Sequence, residues 1–262
     1  MREDDRYLKV AIAAAKEAGR IQMEHFGHAH SVEYKGEIDP VTMVDKLCDQ
    51  AITRIIFSAF PDHDLLTEEG PFETKNSRYK WIIDPLDGTT NYLHGYPCFC
   101  VSIGLEVDGE VKLGVVYNPN LDELFHAEKG GGAYLNRNRI FVSHEDHLNR
   151  SFLCTGFPYD IRDHADSYLS YFRQFIIKSF AIRRPGSAAI DLCYLAAGRF
   201  DGFWEMKLAP WDLAAGSLIL REAGGKVTDF QGRPIHLDGR NVLASNGKIH
   251  REMMETLRMG RV

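Results

Sequence analysis

The residues best equipped for chemistry lie in one stretch, Trp81-Ile82-Ile83-Asp84-Pro85-Leu86-Asp87-Gly88-Thr89-Thr90-Asn91. Asp84 and Asp87 follow an apolar run, three residues apart, with a proline between them and a glycine behind. Carboxylate oxygens suit hard divalent cations such as Mg²⁺, and two acids on one rigid turn can hold one ion or bridge two. Gly88 lets the backbone approach a ligand, the N–H groups of Gly88 and Thr89 could face an anion, and the Thr89 hydroxyl could orient a water. Taken alone, the stretch has a lesser reading as an Asp-rich turn closing a strand. Pro85 and the Asp87-Gly88 turn signal predict that the strand stops at Asp84.

Further acids stand where elements begin or end. Leu65-Leu66-Thr67 runs into Glu68-Glu69, whose side chains diverge, so one of the two points inward. Asp45 falls in the first turn of a helix, where the dipole favours an acid. Asp212 opens another helix in Pro210-Trp211-Asp212, where unpaired N–H groups favour anions or a plain cap.

The elements that must position these groups follow from periodicity. A helix is expected over 4–27, with Tyr7, Val10, Ala11, Ala14, Ala18, Ile21 and Met23 inward, and a second over 43–60, with Val44, Leu47, Ala51, Ile55 and Phe60 inward. Residues 98–107 and 111–117 flank Asp108-Gly109, a hairpin signal, with a further strand at 123–128. Gly130-Gly131-Gly132 lacks the lysine and hydroxyl of a phosphate loop and reads as a turn. Polar residues near 140–151 suggest a boundary, beyond which short strands alternate with helices at 165–178, 187–197 (capped by Ser187), 210–222 and 248–258. The expected division is an N-terminal α+β half, 1–150, carrying most of the acids, and a C-terminal α/β half, 151–262, carrying Asp212.

The 262 residues are 44% apolar, enough for a substantial core, and the formal net charge is −6. No basic patch stands out, so a nucleic-acid partner is not expected. No stretch reads as a signal peptide or a membrane span, and the five scattered cysteines fit reduced packing residues of a cytoplasmic protein.

Together, W-I-I-D-P-L-D-G-T-T-N and P-W-D-L-A-A-G resemble the two signatures of the inositol monophosphatase family. Lys35, the D-P-V-T-x-x-D run ending at Asp45, Glu68-Glu69 and G-S-A-A-I-D-L at 186–192 stand in the family's order, over nearly the whole chain. The resemblance implies a layered αβαβα sandwich of the α+β class and a Mg²⁺-dependent, lithium-sensitive phosphatase, a homodimer acting on small phosphate esters. By that analogy Glu68, Asp84 and the Leu86 carbonyl hold one Mg²⁺, Asp84, Asp87 and Asp212 a second, and a third sits loosely near Glu68. Thr89 and Asp45, with Glu68, would activate the water. Gly88 and Thr89 would hold the phosphate, Ala188, Glu205 and Asp212 would meet the substrate, and Lys35 would complement the charge. Inositol 1-phosphate or another polyol phosphate is the expected substrate. Fructose 1,6-bisphosphate, histidinol phosphate and adenosine 3′,5′-bisphosphate are rivals, and a non-catalytic binding protein on the same fold is the alternative of another class. Two departures stand out. Thr67 replaces a glycine common before Glu68, and the spacing from Lys35 to Asp39 is one shorter than in some relatives. Arg183 and Arg184 could reach a second phosphate or pair with surface acids.

Overall fold

A computed structural model describes residues 3–28, 32–34, 40–237 and 241–260. The elements run α1 (Glu3–His25), β1 (Val32–Tyr34), β2 (Pro40–Thr42), α2 (Met43–Ala59), β3 (Asp64–Thr67), β4 (Tyr79–Asp87), α3 (Thr89–Leu93), β5 (Cys100–Val107), β6 (Glu110–Asn118), β7 (Glu123–Glu128), β8 (Gly132–Leu135) and β9 (Asn138–Ile140). They continue β10 (Phe152–Thr155), α4 (Ala165–Lys178), β11 (Ala181–Arg183), α5 (Ala188–Ala196), β12 (Gly202–Met206), α6 (Pro210–Glu222), β13 (Lys226–Thr228), β14 (Asn241–Ser245) and α7 (His250–Met259).

Five layers result. Strands β3 to β9 form a seven-stranded sheet in sequence order, antiparallel except for the β3–β4 pair. The second sheet has the order β11-β10-β12-β14-β13, mixed in direction. Alternation along the strands sorts side chains between layers. In the first sheet Trp81, Ile83, Ile103, Leu105 and Val115 point to α1 and α2, whereas Val116 and Phe125 point to α5 and α6. In the second, Cys154, Phe203, Val242 and Ala244 face α5 and α6, while Leu153, Trp204 and Leu243 face α4 and α7. The order is helices, sheet, helices, sheet, helices, the expected αβαβα sandwich of the α+β class.

The middle helix layer sits unusually close to the first sheet. Gly104 and Gly114 are cross-strand partners and both face α6. A Cβ on Gly104 would lie 2.8 Å from the Ala214 Cβ, and one on Gly114 would lie 2.7 Å from the Ala215 carbonyl oxygen. The bare backbone of two strands therefore forms the groove in which α6 lies.

Three local expectations are corrected. Strand β4 does not stop at Asp84 but runs to Asp87, and its register with β5 shifts between those two residues. Pro85 and Leu86 occupy that bulge, where a missing N–H costs no ladder bond. The buried stripe of α1 is Tyr7, Ala11, Ala14, Ala15, Ala18 and Gln22, with Met23 exposed. On α2 the buried face is Val44, Asp45, Cys48, Ala51, Ile52 and Ile56, so Leu47 and Ile55 lie only at its margin. In both helices the expected stripe was drawn through apolar residues, and the real one accepts a polar side chain that has a partner. The hairpin at Asp108-Gly109 forms as expected, both residues having positive φ (52° and 80°) as a tight primed turn requires.

Candidate metal and phosphate site

The bulge in β4 shapes the site. It turns Asp84 and Asp87 towards the second sheet, and the chain then enters α3 through Gly88, whose φ is +97°. A Cβ at Gly88 would also stand 2.8 Å from the Cys98 carbonyl oxygen, so glycine is required on both counts. Asp212 arrives from the opposite side, in the first turn of α6.

One oxygen of each acid is tied down. Asp84 Oδ1 accepts from the Leu86 N–H (2.9 Å). Asp212 Oδ2 accepts from the Ala209 N–H (2.7 Å). Asp87 Oδ2 accepts from the Ser187 hydroxyl (2.6 Å) and the Ala189 N–H (2.8 Å). Each acid also offers an oxygen to a group whose members lie within 4.8 Å of one another, the one such metal-ligand group among the described residues. Burial pushes the Asp84 and Asp212 carboxyls well above the usual range, and mutual repulsion adds to it, Glu68 acting on both. Asp87 is raised too, by burial, against the pull of the donors on its Oδ2. Among the described residues no ion pair reaches Asp84, Asp87 or Asp212. Crowded, buried carboxylates with no ion-pair partner among the described residues are a donor set that fits Mg²⁺.

Glu68 follows β3, half-buried, its N–H bonded to the Ile83 carbonyl one strand over. Thr67 closes that turn: its buried hydroxyl accepts from the Gly70 N–H (2.8 Å). Asp45 serves the helix and the site together. Its Oδ2 accepts from the Thr42 N–H (2.8 Å), completing a capping box, while Oδ1 is 2.9 Å from the Thr89 hydroxyl. That hydroxyl also lies 3.0 Å from the Leu86 carbonyl. Having one proton, it donates to one of the two at a time. Burial raises the Asp45 carboxyl, opposed by its bonds to Thr42 and Thr89.

Beside the acids opens a cavity of about 390 Å³, lined by Gly88, Thr89, Ala188, Glu205 and Asp212 among others. Burial pushes the Glu205 carboxyl up to about 8. Arg184 lines the cavity and offsets only part of the upward shift that burial gives Asp191 and Glu205. Arg183 instead covers the Phe152 ring (4.9 Å). Of the positions singled out from the sequence, Asp45, Glu68, Asp84, Leu86, Asp87, Gly88, Thr89, Ala188, Glu205 and Asp212 come together here. Lys35 lies outside the described residues.

Some residues of the site are not visible in local patterns. Ser187 is expected as a helix cap, yet it makes no cap bond, because its hydroxyl is used on Asp87. Gln22 donates to the Pro85 carbonyl (2.8 Å), and its own carbonyl accepts from the Tyr92 hydroxyl (2.7 Å), so α1 grips the bulge and α3. A polar residue one turn beyond Ala18 on an alanine stripe is the signal for it. Asn91 joins α3 to the Pro185 carbonyl (2.9 Å).

Comparison with known proteins agrees with this architecture. The sequence model described as the inositol monophosphatase family matches residues 3–259. The chain belongs to that family. It is a family of phosphatases that act on small phosphate esters. A relative named inositol-1-monophosphatase, from Mesorhizobium japonicum, is 42% identical over 254 residues, 96% of each chain. One from Vibrio cholerae named Nus factor SuhB is 41% identical over 96% of this chain and 95% of its own. The solved inositol monophosphatase of Anabaena superposes with a TM-score of 0.89 at 41% identity, covering 98% of this chain and 97% of that one. Among the described residues no helix is long and apolar enough to cross a membrane.

Proposed function

We propose that this chain is a Mg²⁺-dependent phosphomonoesterase that hydrolyses inositol 1-phosphate or a related polyol or sugar phosphate. The observation that carries the reading is the group of Asp84, Asp87 and Asp212 within 4.8 Å, at the edge of a cavity lined by Gly88 and Thr89. Glu68, Asp84 and the Leu86 carbonyl would hold one ion, Asp84, Asp87 and Asp212 a second, and a third would lie near Glu68. Bound Mg²⁺ supplies charge neutralisation on the phosphoryl oxygens and lowers the pKa of water.

The chain's own groups do the rest. Gly88 and Thr89 present N–H groups to the phosphate. With its proton given to Asp45 (2.9 Å), the Thr89 oxygen has lone pairs left to accept from a water, which it thereby aims. Proton transfer then runs from water to Thr89 Oγ1 and from Thr89 to Asp45, beside Glu68. Asp45 suits the acceptor role because burial raises its carboxyl. Glu205, pushed up to about 8, is mostly protonated at neutral pH. It can donate to one hydroxyl of the leaving alcohol and accept from another, with Ala188 beneath. Lys35 as charge complement and the homodimer rest on the resemblance alone, and the cytoplasmic location on the five scattered cysteines.

The test is phosphate release from inositol 1-phosphate, fructose 1,6-bisphosphate, histidinol phosphate and adenosine 3′,5′-bisphosphate, with Mg²⁺, with chelator, and with Mg²⁺ plus Li⁺. Turnover that needs Mg²⁺ and disappears in Asp87→Asn supports the reading. A folded, Mg²⁺-binding protein that turns over none of the four would overturn it. A second reading, a non-catalytic binding role, draws on the name Nus factor carried by a relative 41% identical. Partner binding would survive Asp87→Asn, whereas turnover would not.

A further inference from the structure

The segment 156–164 is held to the rest of the cavity at two points. At its start Gly156 runs against Glu205, where a Cβ would lie 2.1 Å from a carboxylate oxygen. Four residues on, Asp160 forms an ion pair with Lys207, and Tyr168 of α4 lies near enough for both charges to act on it. Asp160 and Lys207 both line the cavity. Lys207 is the first residue after β12, on the connection between Glu205 and Asp212.

Its backbone is exceptional. Lys207 has φ +62°, and the other described non-glycine residues with positive φ are Asn76, Asp108, Asp122 and Asn136. Those have short polar side chains that bond locally and tolerate the left-handed region. A lysine has no such local compensation. An unfavourable conformation kept beside a functional cavity is held by its surroundings, and here the surroundings are Asp160 and Tyr168. The ammonium group of this residue meets Asp160, on the segment that follows β10.

We propose that Lys207 is a specificity-determining positioning residue. By strapping Asp160 it fixes segment 156–164 as the outer wall of the cavity, and so limits the size of the leaving alcohol. The substrate part of this rests on the phosphatase reading above, whereas the strap does not.

The experiment uses the full chain with Mg²⁺ and the variants Lys207→Asn, Asp160→Asn, their double, and Lys207→Arg. Asparagine keeps the left-handed backbone while removing the ammonium. The ratio of kcat/KM for a nucleoside monophosphate to that for inositol 1-phosphate should rise about three- to fivefold in each single variant, the range of a half-exposed ion pair. The effect should fall on KM for inositol 1-phosphate more than on kcat. The double variant should do no more than either single, and Lys207→Arg should stay near wild type. Trypsin cleavage after Arg162 should quicken by a similar factor in Asp160→Asn. An unchanged ratio, or additive effects in the double, overturns the proposal. A wild type that hydrolyses neither of these esters nor any of the four in the panel above overturns the phosphatase reading instead. Cleavage then decides the strap: faster cutting in Asp160→Asn keeps it, and an unaltered rate removes it.

Discussion

Asp84→Asn should make the metal-free protein more stable while abolishing turnover. Asp84 is fully buried, and Glu68, Asp87 and Asp212 all act on it. At a separation of about 5 Å and an effective dielectric of about 20, each ionised neighbour costs roughly 3 kcal/mol. Two neighbours would exceed the cost of taking up a proton, which for an acid of ordinary pKa 3.8 is about 4 kcal/mol at pH 7. Protonation therefore caps the penalty near ~4 kcal/mol. Asparagine keeps the shape and the acceptor for the Leu86 N–H (2.9 Å), but burying its amide costs about 1 kcal/mol. The net gain is roughly 1–3 kcal/mol, or about 3–10 °C in Tm at this chain length. The assay is thermal unfolding of both proteins in chelator and in Mg²⁺. Wild type should gain stability with Mg²⁺, since a ligand of the native state adds RT ln(1 + [L]/Kd), and the variant should not. A variant less stable than wild type in chelator, or one that keeps its Mg²⁺ response, would refute the reasoning.

Other expectations follow from single contacts. Ser187→Ala removes the hydroxyl bonded to Asp87 (2.6 Å) and should raise the Mg²⁺ concentration for half-maximal activity about tenfold or more, as read by metal titration. Gly88→Ala forces a Cβ to φ +97° and to 2.8 Å from the Cys98 carbonyl oxygen, which should cost about 2–3 kcal/mol in urea unfolding. His250, 2% exposed, sits between the Thr228 hydroxyl (2.9 Å) and the Ser245 hydroxyl (2.8 Å), and burial lowers it from 6.5 to about 4. Between those values the unfolded chain binds a proton that the folded one refuses, so stability should fall by about 3 kcal/mol as pH drops from 6.5 to 4. His250→Gln should flatten that part of the stability profile.

The sequence carries its acids plainly because local signals flag them: Asp45 and Asp212 open helices, Asp87 ends β4, and Asp84 sits beside Pro85 at the bulge. Proline, glycine and helix-start signals mark Asp45, Asp84, Asp87 and Asp212 without any knowledge of the third dimension. Helix positions and the Asp108-Gly109 hairpin were equally legible, being local. Pro85 misled, since a residue that ends most strands is tolerated inside a bulge, and a bulge is recognised only from its partner strand β5. Ser187 misled in the same way. A hydroxyl before a helix reads as a cap, and the competing acceptor lies 100 residues away in sequence. Gln22 and the cavity wall at 156–164 depend on contacts that no periodicity encodes.

The groove formed by Gly104 and Gly114 has a consequence for the chemistry. Asp84 and Asp87 ride on the first sheet and Asp212 rides on α6, so the gap between them depends on how closely α6 lies against Gly104 and Gly114. Gly114 meets the backbone of α6 and Gly104 meets the Ala214 methyl, so repacking has little left with which to narrow the contact. The acidic group is thus spaced from within the core. A methyl group added at residue 104 or 114 would act as a shim, forcing the two ligand-bearing elements apart. Its first symptom would be a protein that folds and asks for more metal.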